Sequence, residues 1–265
     1  MILVLANHYD AEADWLRRAL EQRGRHPVLL LCPEALGVDY GISLRLRNDG
    51  RHGCTVSFFG EAARRCDGDQ IRYAVNRLGY IEPLVWRSAD EGERIYATSE
   101  INAFFPALIE SLRCPVDSPV QHGALWVDGG FELRWAARLN ARGVDVHPSM
   151  TGPPGQAVTT LLEADPAALR RWMCFEGQVF TPAAQGGAHP HVAQHLRALA
   201  PTQTLEFVCL QGADPAALQL LHVSRTPALS WYGQPFIDAL LVHADGARHG
   251  HPDGNPERAA VAAAC

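Results

Sequence analysis

Four side chains of types that can hold a metal ion or an anion lie on two predicted strands in the last third of the chain. They are, in chain order, Glu206, His222, Ser224 and Arg225. The apolar stretches 204–210 and 218–224 predict two strands around a turn, and strands joined in this way pair with each other. We therefore expect these side chains to converge. They could form a metal or anion site, or a polar patch whose groups satisfy one another.

A second set of candidate metal ligands is a pair of histidines. His191 and His195 are four residues apart on a helix predicted over 191–200, so their imidazoles lie on one face. Two imidazoles at this spacing can hold zinc or another transition metal. The sequence places no acidic or cysteine partner beside them, and a solvated surface pair is the competing interpretation.

Polar residues also follow two predicted strands of the N-terminal half. Asn7 and His8 come directly after the first apolar run, where α/β folds place their binding loops. Arg77 ends another strand and could bind a carboxylate or phosphate with both arms of its guanidinium. The competing explanations are structural: Asp10 would cap the next helix, and Arg77 would be a buried partner of Glu100.

The cysteines argue against both a disulfide framework and a catalytic thiol. There are seven, an odd and widely spaced set without any Cys-x-x-Cys pair, as is typical of reduced intracellular thiols. Cys54, Cys66 and Cys174 show no local pattern of an activated thiolate.

Apolar periodicity predicts the elements that position these residues. Strands at 2–6 and 26–31 flank a helix at 11–23, which suggests a small parallel sheet at the start of the chain. An Asp-Gly turn predicts a hairpin from strands at 40–46 and 54–59. The other predicted elements are a strand at 74–78, helices at 95–112, 131–142, 191–200 and 235–243, a strand at 144–147, a hairpin over 170–180, and loops at 115–119 and 148–156.

These elements predict an α/β protein whose chain is divided into three subdomains and a tail. The predicted units are an N-terminal α/β subdomain (1–72), a central α/β subdomain (73–148), a C-terminal lobe (149–243) and a disordered tail (244–265).

Composition excludes several classes of protein. The net charge of -6 argues against a nucleic-acid binder, and no apolar run is long enough to span a membrane. The first ten residues lack the positive region of a signal peptide, so a cytoplasmic protein is expected. The chain contains no lysine: all 23 basic residues are arginine, so every fixed cation is a guanidinium.

Six stretches, taken in order, resemble ATP-grasp ligases that modify peptides or join amino acids. They are AVNRLGYIEPLVW (74–86), the Glu-bearing helix and proline-bounded loop at 96–119, LRWAARLNARGVDVHPS (133–149), RRWMCFEGQVFTPA (170–183), HVAQHLRALAPTQTLEF (191–207) and LLHVSRTPALSWYG (220–233). The resemblance implies an N-terminal Rossmann-like pre-ATP-grasp subdomain followed by an α+β ATP-grasp lobe. It also implies ATP-dependent activation of a carboxylate, with Mg²⁺ on the phosphates.

The chain departs from this pattern in three ways. Glu206 keeps the position of an acidic metal ligand, but His222-Val223-Ser224 replaces the usual Glu-Val-Asn, and the usual lysines are missing. About twenty residues separate Pro148 from Arg170, too few for the several strands of a nucleotide-clamping subdomain. The expected protein therefore lacks most of that subdomain and has a degenerate ATP and magnesium site.

These departures lead to three functional hypotheses. The first is a non-ligase accessory or binding protein of a peptide or natural-product pathway, with no cofactor and with a peptide or protein partner. The second is an active carboxylate–amine ligase that uses ATP and Mg²⁺, with arginines in place of lysines. The third is a histidine-based metal-dependent enzyme. A homo- or hetero-oligomer is compatible with each.

Overall fold

The computed structural model describes residues 1–46, 52–60, 64–81, 86–118, 120, 131–151, 156–185, 190–199, 204–211 and 218–246. Its strands are β1 (Ile2–Leu5), β2 (Val28–Leu31), β3 (Tyr40–Leu46), β4 (His52–Phe58), β5 (Arg65–Asp67), β6 (Tyr73–Asn76), β7 (Val116–Asp117), β8 (Asp145–Val146), β9 (Leu169–Phe175), β10 (Gln178–Phe180), β11 (Leu205–Gln211) and β12 (Leu218–Ser224). Its helices are α1 (Ala11–Arg23), α2 (Glu91–Ser111), α3 (Phe131–Asn140), α4 (Gln156–Glu163), α5 (Pro190–Leu199) and α6 (Gly233–Gly246).

The N-terminal sheet is parallel throughout and has the strand order β2-β1-β6-β7. A parallel sheet is normally covered on both faces, and this one is no exception. Ile2 and Val4 face α1 and α6, whereas Leu3 and Leu5 face α2 and the antiparallel sheet β3-β4-β5. The alternation of these four residues is that of a strand with both faces buried.

Local signals at both ends define α1. Asp10 is its N-cap, and one carboxylate oxygen accepts hydrogen bonds from the backbone N–H groups of Glu12 and Ala13 at 3.0 and 3.1 Å. Gly24 ends the helix in the left-handed region at φ 63°, which costs a glycine little. The carboxyl ends of β1, β6 and β7 meet at the edge of the sheet beside this N-terminus.

The C-terminal sheet has the order β10-β9-β11-β12-β8 and is antiparallel except for β8, which pairs parallel to β12. One face packs on α3 and α5 around Trp172 and Phe207. The β9–β10 hairpin turns through Glu176 and Gly177, both at positive φ (45° and 72°), as a tight two-residue hairpin requires.

Helix α6 joins the two sheets. Its buried residues share one apolar cluster with β1 and β6 of the first sheet and with Met173 and Phe175 of β9. Phe236 is completely buried there and packs edge-on against Phe175, with ring centroids 5.4 Å apart. The two sheets are thus held by one shared core.

The structure agrees with most of the predicted elements and corrects others. The loop predicted at 115–119 contains β7, which pairs with β6 and extends the first sheet. Helix α4 was not predicted and begins where the predicted linker 148–156 ends. Helix α6 continues to Gly246, into the predicted tail, and the rest of that tail and the predicted Asp49-Gly50 turn lie outside the described residues.

The described residues of the predicted central subdomain, 73–148, form no sheet of their own. Strands β6 and β7 belong to the N-terminal sheet, and β8 is the edge strand of the C-terminal sheet. The segment therefore contributes strands to both sheets. No helix in the described part of the chain is long and apolar enough to cross a bilayer.

We expect the Phe236→Ala substitution to lower the free energy of unfolding by about 3–5 kcal/mol, because it leaves a cavity where the two sheets meet. The control is Val242→Ala on the same helix, where the side chain is 66% exposed and the loss should stay near 0.5 kcal/mol. Urea denaturation measures both. Equal losses would contradict a shared core at this helix.

Candidate functional site

Glu206 is buried between two partners of its own chain. Its Oε1 accepts a hydrogen bond of 2.8 Å from the Tyr232 hydroxyl, and its Oε2 accepts one of 3.2 Å from Arg171 Nη1. Burial and the nearby charge of Glu206 raise the pKa of Tyr232. The Tyr232 hydroxyl therefore stays protonated and donates the hydrogen bond. The Arg171 guanidinium also lies over the ring of Trp231, 4.6 Å from its centroid. Both carboxylate oxygens are therefore engaged within the protein.

His222 and Ser224 take partners from other elements. His222 Nδ1 lies 2.6 Å from Glu132 Oε1 of α3, an ion-pair distance without the alignment of a hydrogen bond. Ser224 lies opposite Glu206 in the β11–β12 register, but its hydroxyl oxygen accepts a hydrogen bond from the backbone N–H of Thr226 at 3.1 Å. The prediction of one convergent site is therefore not supported, because each side chain is held by a different neighbour.

Arg225 points toward the N-terminal sheet. Its Nη2 lies 3.5 Å from the Ser118 carbonyl oxygen, and its guanidinium is 6.0 Å from the ring centroid of Phe131. Burial lowers the pKa of Arg225, and the negative charge of Asp117 opposes this effect. Arg225 therefore belongs to the contact between the two sheets.

Asp117 forms the most buried part of this contact. It accepts hydrogen bonds from the Thr204 backbone N–H at 2.7 Å and from the Thr204 hydroxyl at 2.5 Å. Burial raises the pKa of Asp117 more than these hydrogen bonds and the charge of Arg77 lower it. Nearby, Asn76 Nδ2 donates to the Ser118 carbonyl at 2.9 Å. The end of β7 and the start of β11 are thereby fastened together.

Arg77 makes the second part of the contact. Its Nε and Nη2 donate to the two carboxylate oxygens of Asp10 at 2.8 and 3.3 Å, and its Nη1 donates to the Pro227 carbonyl at 3.1 Å. The predicted pairing with Glu100 is wrong, because Glu100 is exposed on α2. The structural interpretation of Arg77 nevertheless stands, with Asp10 as its partner. We call the contacts of Asp10, Arg77, Asp117, Thr204 and Arg225 the polar seam.

Asn7 and His8 lie at the carboxyl edge of the first sheet, as predicted, but outside the polar seam. Asn7 Nδ2 donates to the Tyr9 hydroxyl at 2.8 Å. His8 Nδ1 lies 3.4 Å from Glu34 Oε1, and the His8 backbone N–H donates to Glu34 Oε2 at 3.3 Å. This loop remains a predicted binding region that no described contact links to Glu206.

The remaining metal-ligand and thiol candidates are not brought together. His191 and His195 both lie on α5, where His195 is half-buried and the side chain of His191 lies outside the described residues. Within the described ranges, no group of three or more His, Cys, Asp or Glu side chains could hold a metal ion. Burial raises the pKa of Cys54 to about 11 and that of Cys174 to about 12, so neither thiol is activated.

Several residues that hold this region carry little signal in the sequence. Glu12 accepts hydrogen bonds from the Ser230 backbone N–H at 2.7 Å and from its hydroxyl at 2.8 Å, across most of the chain. Asp117 lies in a proline-bounded segment that is typical of a loop, and Tyr232 follows a turn. Only Asp10 has a local signal, as a helix cap, and that signal does not reveal its second role.

Comparison with known proteins places this geometry in a fold. No model of a known protein family and no curated protein sequence matches the chain. Among solved structures, the macrocyclase MdnB from Microcystis aeruginosa is similar over 94% of this chain and 99% of its own, with 16% identity and a TM-score of 0.58. The chain has the ATP-grasp fold. The macrocyclase MdnC, solved with its precursor peptide MdnA, gives 12% identity and a TM-score of 0.67 over the same shares of both chains.

A third solved ATP-grasp structure supports this assignment. It is a RiPP-associated ligase from Chryseobacterium gregarium in complex with ADP and a leader and core peptide, with 10% identity and a TM-score of 0.62 over 93% of this chain and 95% of its own. The predicted ATP-grasp-like α/β fold class is therefore confirmed. In this fold, the polar seam lies between the N-terminal sheet and the start and end of the β11–β12 pair.

We expect Asp10→Ala to lower the free energy of unfolding by about 3–5 kcal/mol, because it leaves Arg77 buried without its carboxylate. The control is Asp14→Ala on the same helix, where the carboxylate pairs with Arg17 and Arg18 at the surface and the loss should be much smaller. Thermal and urea unfolding measure both losses. Equal losses would refute a structural role for the Arg77 pair.

We also expect Asp117 to make stability depend on pH. Because burial raises its pKa, the folded protein holds this proton more tightly than the unfolded chain. Its stabilising contribution is complete below the ordinary carboxyl value of 3.8 and is lost as pH rises through the folded pKa. In Asp117→Asn this dependence disappears, so the advantage of the wild type over the variant should shrink with rising pH.

Urea titrations at a series of pH values measure this difference. The exposed Asp238→Asn variant controls for the loss of a carboxylate at the surface. If the advantage of the wild type over Asp117→Asn grows with pH, the pKa of Asp117 is lowered by folding and the expected direction is wrong.

Proposed function

We propose that this is a cytoplasmic, non-ligase protein of the ATP-grasp fold that binds a peptide or protein partner in a peptide-modification or natural-product pathway. The observation that carries the proposal is the state of the residues that resemble the family's magnesium ligands. Glu206 is engaged by Tyr232 and Arg171, and His222 lies against Glu132. Each Glu206 oxygen already accepts a hydrogen bond within the protein, and His222 offers only ring nitrogens, which Mg²⁺ does not prefer.

The donor set does not fit Mg²⁺ on chemical grounds either. Magnesium prefers hard oxygen ligands in near-octahedral geometry and is held by one or two carboxylates together with the phosphates. An imidazole is too soft for this role, and the Ser224 hydroxyl is already an acceptor for Thr226. We therefore assign no chemical step to ATP or magnesium in this protein.

The cations near the polar seam are also engaged. Arg77 pairs with Asp10, Arg171 with Glu206, and Arg225 reaches the Ser118 carbonyl. No lysine exists to replace them. Phosphoryl-transfer sites rely on cations aimed at the phosphates, and guanidiniums that neutralise buried carboxylates cannot do this without breaking those pairs.

The segment before β9 offers further support. Between β8 and β9, the described residues 147–151 and 156–168 form helical turns and α4 but no strand. The expected clamping subdomain would require several strands. This is consistent with a reduced nucleotide-binding lobe.

The fold comparisons favour a peptide as the partner. MdnC was solved with a precursor peptide, and the Chryseobacterium ligase was solved with leader and core peptides. A protein of this fold that keeps peptide binding and loses ligation would act as an accessory to another enzyme.

The same comparisons define the competing function, an active ATP-dependent ligase. The ligase PsnB was solved with its precursor peptide and AMPPNP, and also with Mg and ADP. Arginine binds phosphate well, so the absence of lysine alone does not remove this alternative. The engaged state of Glu206 and His222 is what favours the non-ligase function.

We expect isothermal titration calorimetry with AMPPNP and Mg²⁺ to give no binding heat up to about millimolar nucleotide, which corresponds to less than about 4 kcal/mol of binding free energy. PsnB is the positive control, and circular dichroism checks that the protein is folded. Saturable nucleotide binding, or ATP consumption in the presence of a carboxylate and an amine, would overturn the non-ligase proposal.

A further inference from the structure

The first half of α2 projects from the body of the protein. The side chains of residues 91–100 are exposed or half-exposed, and α2 enters the core only in its second half, through Phe105, Leu108 and Ile109. Ile95 and Tyr96 are 59% and 67% exposed. Large apolar side chains on an exposed helix face, close to one another, mark a surface that can receive a partner.

A groove of about 540 Å³ runs along this part of the helix. A volume of this order can hold several side chains of a ligand. The groove lies between α2 and the chain near residue 80, and its lining combines an aliphatic side chain, a phenol, two aliphatic hydroxyls, an amide and two guanidiniums. The residues are Tyr80, Arg87, Arg94, Ile95, Thr98, Ser99 and Asn102.

The wall opposite the helix is fixed by Asn102. Its side-chain carbonyl accepts a hydrogen bond from the Ile81 backbone N–H at 3.0 Å, and its Nδ2 donates to the Ile81 carbonyl at 2.8 Å. These two hydrogen bonds to the backbone of one residue hold the chain around residue 81 against α2. The groove is thus preformed, which lowers the entropic cost of binding.

The charged side chains that line the groove are two guanidiniums. In the part of the chain that the structure describes, neither the Arg87 nor the Arg94 guanidinium takes part in an ion pair or a hydrogen bond. Glu91 and Glu93, the acids of the first turn, do not line the groove. Two guanidiniums beside an apolar surface are complementary to a carboxylate-bearing ligand.

The hydroxyls add an acceptor function. Thr98 donates its hydroxyl proton to the Arg94 carbonyl at 2.7 Å, and Ser99 donates to the Ile95 carbonyl at 3.1 Å. Their oxygens keep lone pairs that can accept the N–H groups of an extended peptide backbone. The groove therefore offers partners for the carboxylates, the apolar side chains and the backbone of a peptide.

We propose that this groove binds an acidic segment of a peptide partner, in which glutamate or aspartate side chains alternate with leucine-like or phenylalanine-like side chains. The carboxylates would pair with Arg87 and Arg94, and the apolar side chains would pack on Tyr80 and Ile95. The inference rests on the proposed peptide-binding function and specifies the chemistry of the partner and its place on the protein.

Fluorescence anisotropy tests the proposal with two labelled peptides of about twelve residues, one alternating glutamate and leucine and the other alternating lysine and leucine. We expect the acidic peptide to bind and the basic one not to bind. Arg87→Glu and Arg94→Glu should each weaken binding by about tenfold or more. Arg197→Glu, which reverses an exposed arginine on α5 far in sequence from the groove, should change binding by less than about twofold.

The outcomes separate this inference from its alternatives. Equal binding of both peptides, or unchanged binding by the two groove variants, would overturn it. Displacement of the acidic peptide by equimolar free glutamate or phosphate would identify the groove as a small-anion site instead. Sedimentation velocity tests whether the groove binds a second copy of the chain. A dimer that Ile95→Asp dissociates would show this and would also overturn the inference.

Failure of this inference differs from failure of the proposed function. Nucleotide binding or ATP consumption would remove the non-ligase function and leave the groove result intact. If the acidic peptide binds equally well to the Arg87 and Arg94 variants, the proposed peptide-binding function stands and only its assignment to this groove is wrong.

Discussion

The burial of α6 between two sheets is the constraint on which the rest of the structure depends. Its apolar side chains pack on β1 and β6 and on β9 at once, so the two sheets cannot move apart without opening the same core. The chain that enters this helix is thereby held at the carboxyl edge of the first sheet. That position brings the Pro227 carbonyl to Arg77 and Ser230 to Glu12.

The polar seam follows from this burial. Groups taken out of water must find partners, and at the seam each carboxylate meets a guanidinium, a hydroxyl or a backbone N–H. Glu206 is drawn into the same arrangement by Tyr232 and Arg171. Because the acidic and basic groups of the seam neutralise one another, they hold the two sheets together but leave no free charge to bind the phosphates of a nucleotide. Two guanidiniums without such partners among the described residues, those of Arg87 and Arg94, lie elsewhere, just before α2 and in its first turns.

Local features of the structure could be predicted from the sequence, and distant pairings could not. Asp10 and Gly24 define α1, and Glu176-Gly177 defines a hairpin, because caps and tight turns depend on neighbouring residues. Strand β7 was missed because two residues between prolines carry no period. The partner of Arg77 lies 67 residues away in the chain, and nothing in the local pattern distinguishes Asp10 from Glu100.

The shared core also affects how the protein folds during its synthesis. Ile2 and Val4 are synthesised well before the α6 residues that pack on them. Chains generally fold by domains as they leave the ribosome. In this protein the part of the first sheet's apolar face that α1 does not cover stays exposed to water until α6 has been synthesised. A truncated product that ends before α6 would therefore expose apolar surface on that sheet. We expect such a product to bind chaperones and to aggregate.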